Sequence, residues 1–409
     1  MKPHIVVFNP DQWRGDSLGH LGHPAAQTPA LDRLVEEEAV SFSRNYCQNP
    51  TCVPSRASFM TGWYPHTRGH RTMRHVLEPD KGDRFLLNEV RQAGYHVFWG
   101  GKNDVVPGSG RVGSRPDYAD TVSDYNRYPP MQPNWHSEVY SERRGEPGED
   151  TYYSFYAGLL EKEPGETYYR DDDWIHLQEA IRLVRERPDD KPLFLYLPLS
   201  APHPPYAVEE PFYSAIDREA VQPRNTEVDW SHMPAVLRGL RKNQGMQAWT
   251  EERWKELGAT YLGMCMRTDA LLGELISAMA EEGIWDDTLL FFFSDHGDFT
   301  GDYGVVEKLD NFFPDCLSRV PLVVKPPRST ACRPGVRTAL TELVDVSETI
   351  YDFAGIDPDY GRFGRSLREC LANEDATHRD AVFCEGGRLP GEPLRNRHGR
   401  QPRLDPASP

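Results

Sequence analysis

The strongest constraint on the fold is a set of short apolar runs that do not alternate with polar residues. "HIVVF" (4–8), "YHVFWGG" (95–101), "LFLYLPLS" (193–200), "TLLFFFSD" (288–295), "VPLVVKP" (320–326) and "AVFCEGG" (381–387) are rich in β-branched and aromatic residues. A strand with one face in water alternates, so continuous apolarity predicts strands covered on both faces. Between the runs lie helical patterns at 28–39, 84–94 with Gly94 as the cap, 173–187, within 250–282, and 343–355. Strands alternating with helices predict an α/β fold, a large, mostly parallel central sheet flanked by helices.

A chain of 409 residues with 38% hydrophobic content can bury such a sheet as one domain, expected over 1–387. The net charge of −17 argues against nucleic acid or an anionic membrane as the main partner, because both select basic faces. No apolar run reaches transmembrane length, and "MKPHIVVFNPDQ" lacks a signal-peptide pattern, so the expected compartment is the cytoplasm. Seven cysteines form neither an even disulfide framework nor a C-x-x-C zinc pair, although Cys47 and Cys52 are spaced closely enough to pair with each other. Residues 104–170 are rich in Tyr, Pro, Asp and Gly with neither period, which predicts a substrate-binding loop or lid. The stretch 388–409 has many Arg and Pro and few large apolar residues, and is expected to be a disordered tail.

In open α/β sheets ligands bind beyond the carboxyl ends of strands. Asp11 and Gln12 follow the first run, Lys102, Asn103 and Asp104 the second, His203 the third, and Asp295, His296, Asp298, Asp302 and Lys308 the fourth. Asp11, Gln12, Asp295 and His296 offer oxygens and one nitrogen, a set suited to a hard divalent cation; each acid taken alone is equally a turn residue or helix cap. Lys102, Lys308, His203 and Arg56 would make a locally positive pocket that suits a tetrahedral anion such as sulfate or phosphate. The segment "QNPTCVPSRASFMTG" (48–62) places Cys52 at a helix start, with Pro54 in the first turn and Gly62 as the stop. There Cys52 reads three ways: a disulfide partner, a thiolate nucleophile favoured by the helix dipole, or a cysteine to be chemically converted.

"CVPSRASFMTG" resembles the C-x-P-S-R-x-x-x-x-T-G signature of the type I sulfatases of the alkaline phosphatase superfamily. The likeness extends through "DQWRGDSLGHLGHPAAQTPALDRL", "GWYPHTRGH", "GGK", "APHPPY", "YLGMCMRTDALLGEL" and "SDHGDFTGDYG", in the family's order. It implies an alkaline phosphatase-like fold and metal-dependent hydrolysis of a sulfate ester to alcohol and sulfate. It further implies that Cys52 is oxidised to Cα-formylglycine by a formylglycine-generating enzyme, and that Arg56 braces it. Asp11, Gln12, Asp295, His296 and residue 52 would hold one divalent cation, calcium first, with manganese and magnesium as alternatives. Lys102 and Lys308 would hold the sulfate oxygens and His203 would contact sulfate or protonate the leaving alcohol. One hydroxyl of the hydrated aldehyde would attack sulfur and the other would later expel sulfate.

Three features depart from the common family pattern. The Asp11-Gln12 and Asp295-His296 pairs resemble the branch of choline sulfatases and phosphonate monoester hydrolases, so phosphonate or phosphate esters are the alternative substrates. Asp104 stands where the family often has a histidine, which leaves Asp104 itself, His66 or His70 to take the proton. The family's small C-terminal antiparallel sheet is expected to be shortened or missing, which keeps a non-catalytic relative as a further alternative. The expected ligand is a small-molecule or saccharide sulfate ester, with a homo-oligomer left open.

Overall fold

Four of the apolar runs become four adjacent parallel strands at the centre of one sheet. The computed structural model describes residues 2–108, 116–132 and 154–387. Its strands are β1 (His4–Asp11), β2 (Val40–Phe42), β3 (Asn45–Tyr46), β4 (His96–Trp99), β5 (Thr121–Val122), β6 (Tyr156–Leu160), β7 (Leu193–Pro202), β8 (Tyr206–Glu209), β9 (Thr288–Phe293), β10 (Leu322–Lys325), β11 (Gly335–Arg337) and β12 (Thr341–Glu342). Eight of them form a sheet in the order β11-β2-β10-β9-β1-β7-β4-β5, in which only β10 runs antiparallel to its neighbours.

Register explains the continuous apolarity. Ile5 pairs with Phe194 on one side and Leu289 on the other, while Phe8 pairs with Leu197 and Phe292. Val6, Phe8, Leu195 and Phe292 enter one core, and Ile5, Val7, Phe194 and Phe291 enter the other. Alternate residues therefore still face opposite sides, but both sides are dry.

Helices α1 (Pro29–Glu37), α4 (Asp172–Arg185) and α5 (Glu251–Glu281) cover the first core. Helices α2 (Cys52–Thr61), α3 (Leu86–Gln92) and α6 (Val344–Ala354) cover the second. The long α5 also ties the layer together, because the Asp269 carboxylate accepts from the first free N–H groups of α1, Ala30 at 2.9 Å and Leu31 at 2.9 Å.

Several expectations change. The run 320–326 is a strand, β10, but an antiparallel one. The run 381–387 is not a strand: Phe383 is 59% exposed, and the backbone N–H groups of Phe383 and Glu385 go to the Glu342 carboxylate and the Gln48 carbonyl instead of a ladder. Within 104–170 two short strands form, β5 at the sheet edge and β6 against β8, while 109–115 and 133–153 lie outside the described residues, as does the expected tail at 388–409. Among the described residues nothing beyond an isolated bridge at Arg379 continues the sheets after Glu342. All seven cysteines are free, which removes the Cys47–Cys52 disulfide. Among the described residues no helix is long and apolar enough to cross a membrane.

One close approach sets the geometry of the site. Gly101 has a φ of 150°, and a Cβ there would lie 2.3 Å from the Pro198 carbonyl oxygen. The Lys102 N–H donates to the same carbonyl at 2.8 Å, so the loop after β4 lies directly on the backbone of β7. Gly101→Ala is expected to cost about 1–3 kcal/mol through backbone overpacking. Urea denaturation checks this, and an unchanged midpoint would show that the loop yields freely.

Candidate active site

The four central strands β9, β1, β7 and β4 end side by side, and each delivers its polar residues to the same edge of the sheet. Asp11 closes β1, Lys102 and Asp104 follow β4, His203 follows β7, and Asp295 and His296 follow β9. Helix α2 approaches from the second core, with Thr51 at its N-cap, Cys52 in the first turn and Gly62 in the left-handed conformation closing onto the Ser58 carbonyl. Every residue of α2 is buried, and two of its hydroxyls are satisfied along the helix: Ser58 donates to the Pro54 carbonyl at 3.0 Å and Thr61 to the Ala57 carbonyl at 2.7 Å. A helix buried all round can hold its first residue in a fixed place.

Cys52 Sγ lies 3.2 Å from His296 Nε2, 3.7 Å from Asp11 Oδ1 and 3.8 Å from Lys102 Nζ. Arg56, one turn further on, is fully buried and spans two strands: Nε donates to Asp295 Oδ2 at 2.8 Å and Nη2 to Asp11 Oδ2 at 3.2 Å. Ser55 Oγ donates to the Asp295 carbonyl at 2.5 Å. Lys102 pairs with Asp11 and, at 2.9 Å, with Asp104. Burial alone would raise the Asp11 carboxyl, but the Lys102 ammonium and the His296 contact hold it well below the usual range. Asp104 is likewise lowered: its burial penalty is outweighed by Lys102 and Arg56. Burial would lower His296, yet the Asp295 and Asp11 carboxylates push the imidazole up to about 10.

Ligand atoms of Asp11, Cys52, Asp295 and His296 all lie within 4.8 Å of one another. Two carboxylates, one imidazole and residue 52 are a donor set that a divalent cation fits, and binding it would displace the proton that His296 otherwise takes up. Gln12, expected with them, turns its carboxamide elsewhere: Nε2 donates to Asp298 and Oε1 accepts from Lys308. A carboxylate on one side and an ammonium on the other leave one orientation for that amide.

Asp298 is the centre of a second layer. Tyr206 donates to its two oxygens at 3.0 and 2.8 Å and accepts from the Glu307 N–H at 3.0 Å, and Thr300 adds an N–H at 2.5 Å and an O–H at 2.8 Å. Gln12, Thr300 and Glu307 are all non-glycine residues at positive φ, 74°, 46° and 69°. Such backbone persists only where its surroundings over-determine it. The Tyr206 hydroxyl was not among the expected site groups, although "APHPPY" contains it; the signal was a tyrosine three residues after His203.

His203 is nearly buried; its Nδ1 donates to the Pro204 carbonyl at 2.6 Å and its Nε2 lies 3.7 Å from Glu307. The Asp173 carboxylate fixes the approach to it by accepting from Ser200 N at 2.7 Å and Ala201 N at 2.8 Å. Of the three candidate proton acceptors, His66 pairs with Glu385 and His70 with Asp83, whereas Asp104 alone touches Lys102. Arg56→Leu would leave Asp11 and Asp295 buried without their shared counter-charge. The expected loss is about 3–5 kcal/mol, measurable by chemical denaturation; a loss under about 1 kcal/mol would show that Lys102 and His296 suffice.

Comparison with known proteins identifies the family. The family model described as Sulfatase matches residues 3–356. The chain is 27% identical to a multifunctional alkaline phosphatase superfamily protein of Trinickia caryophylli, over 91% of this chain and 77% of that one. It is 26% identical to an arylsulfatase of Clostridium perfringens, over 94% of this chain and 82% of that one. The crystal structure of a phosphonate monoester hydrolase of Agrobacterium radiobacter shares the fold, with a TM-score of 0.72 at 24% identity, covering 96% of this chain and 82% of that one. The chain therefore belongs to the sulfatase family of the alkaline phosphatase superfamily and is a sulfuric ester hydrolase.

Proposed function

We propose that this enzyme hydrolyses a sulfate ester with a Cα-formylglycine made from Cys52 and one bound divalent cation, calcium before manganese or magnesium. The observation that carries the reading is the position of Cys52: buried in the first turn of α2, within 3.2 to 3.8 Å of His296, Asp11 and Lys102, and in no disulfide. A thiol walled in by two carboxylates and their counter-charges is a poor structural filler. It is well placed for conversion into an oxygen nucleophile.

Asp11, Asp295 and His296 would hold the cation with residue 52, and Gln12 would join them by releasing Lys308. When present, the hydrated aldehyde supplies the attacking oxygen and the cation supplies Lewis acidity. The chain's own residues do the rest. Arg56 holds the Asp11 and Asp295 carboxylates in place. Lys102 and Lys308 neutralise the sulfate oxygens so that a nucleophile can approach. His203 donates a proton to the departing alcohol, its orientation fixed by the bond from Nδ1 to Pro204. Asp104, held as a carboxylate beside Lys102, takes the proton for which many relatives use a histidine. Met131, Gln132 and Arg170 of the insertion line a cavity with His203 and would meet the alcohol, a small molecule or a saccharide.

A phosphonate or phosphate ester is the second reading, favoured by the same donor pair of Gln12 and His296 and by cations that would bind any tetrahedral oxyanion equally.

Co-production with a formylglycine-generating enzyme is expected to give a Cys52 peptide with the mass of an aldehyde, and Cys52→Ala to lower kcat on an aryl sulfate by at least ~10³-fold, as for loss of a covalent nucleophile. Full turnover by protein whose Cys52 remains a thiol would overturn the mechanism. Chelation is expected to abolish turnover and calcium to restore it. Aryl sulfate, phosphonate and phosphodiester measured under one metal decide the ester class, and a dominant phosphonate rate would put the phosphonate reading first.

A further inference from the structure

The loop from Pro65 to Leu77 carries Arg68, Arg71, Arg74, His66, His70 and His75 and no acid, in a chain whose net charge is −17. It is tied to the site at both ends. The His66 N–H and Nδ1 reach Glu385 at 2.8 and 2.9 Å, and Glu385 bonds through its backbone to Gln48 and Asn49, just before Cys52. At the other end the Leu77 N–H donates to the Val105 carbonyl at 2.7 Å, next to Lys102 and Asp104. Midway, Arg71 Nη1 lies 3.8 Å from where a Cβ on Gly387 would stand, and the Gly387 N–H bonds to Asn311, on the loop that carries Lys308. Arg71 therefore lies beside Gly387, which is bonded to the loop that bears Lys308.

Its neighbours are already neutralised. Arg68 and His70 share Asp83 at 3.0 and 3.2 Å. The Arg71 guanidinium has no hydrogen bond, ion pair or ring contact among the described residues, and its Nε is buried. Among the described residues, three of the four other arginines with a buried, unbonded Nε stack on rings, Arg84 on Tyr360 at 4.6 Å, Arg241 on Trp230 at 4.5 Å and Arg253 on Tyr156 at 4.3 Å, and the fourth, Arg319, faces the Asp16 carboxylate. A partly buried guanidinium with neither ring nor acid is costly unless a ligand completes it, and its planar fork fits a carboxylate or sulfate.

We propose that Arg71 binds a second oxyanion, a carboxylate or a further sulfate, on the alcohol half of the substrate. This rests on the sulfatase reading of the Cys52 site. It makes the natural substrate a sulfate ester with at least two negative groups, such as an acidic or multiply sulfated saccharide.

The test compares kcat/KM for 4-nitrophenyl sulfate, a carboxylated analogue and a disulfated analogue on mature enzyme. The wild type is expected to prefer one of the two dianions, and which one names the source of the charge. Arg71→Ala is expected to reduce that preference about 10- to 100-fold, the range of a charge-assisted hydrogen bond, and Arg71→Lys to recover part of it. A ratio of two substrates on one preparation does not depend on the folded fraction. No preference in the wild type, or an equal loss in Arg74→Ala on the exposed part of the loop, overturns the proposal. Failure to hydrolyse the simple aryl sulfate would instead overturn the sulfatase reading beneath it.

Discussion

The Arg56 guanidinium is the interaction on which the site depends. Asp11 and Asp295 end neighbouring strands, and both carboxylates are fully buried. Two like charges cannot be taken out of water side by side without compensation, since the desolvation penalty is several kcal/mol for each ion even after relaxation. Arg56 meets both, from a helix that packs on the opposite core and has no other reason to carry a buried cation. The link makes the sequence spacing intelligible: Arg56 is four residues, about one helical turn, after Cys52. The arginine that steadies the two acids therefore also holds Cys52 against them. Position of the nucleophile and position of the ligands are one constraint.

The outer layer extends this logic with neutral groups. Asp298, raised by burial, is satisfied by donors alone, from Gln12, Tyr206 and Thr300. Because Tyr206 also accepts from Glu307 N–H, every proton in the chain from Glu307 to Asp298 has a fixed direction, and the Gln12 oxygen is left facing Lys308. The strained backbone at Gln12, Thr300 and Glu307 is concentrated along this chain. Strain of that kind costs about 1–3 kcal/mol per residue, comparable to the bonds that hold it, so layer and strain persist together or not at all.

Much of this was legible in the residues, and the limits are physical. Runs such as "TLLFFFSD" announce a dry strand because two cores claim alternate residues, and the strand ends then place Asp11, Lys102, His203 and Asp295 without further information. Direction was not legible, so β10 reads like its parallel neighbours although it runs the other way. Nor could 381–387 be separated from a strand by composition, since what denies it a ladder is the side-chain acceptor of Glu342 and the carbonyl of Gln48, both remote in the chain. Spacing placed Gln12 among the oxygen donors; only contacts reveal that its amide is engaged by Asp298 and Lys308. Short strands such as β3 and β12 exist through mutual pairing and leave no pattern of their own.

An acidic chain that binds an anion needs its positive charge to act at short range. At physiological salt the Debye length is about 8 Å, so most of the surface carboxylates are screened from the site while Lys102, Lys308 and Arg71 are not screened from a ligand in contact with them. The acids of the inner site do not cancel this attraction, because Arg56 and His296 already balance Asp11 and Asp295 from the protein side. Lys102 is shared with Asp104 and Lys308 lies near Glu307, so the ligand meets cations that are partly paired, together with Arg71. The overall charge then disfavours nonspecific association with polyanions, and the local cations select those that can bring an oxyanion to Lys102 and Lys308 and a second one to Arg71.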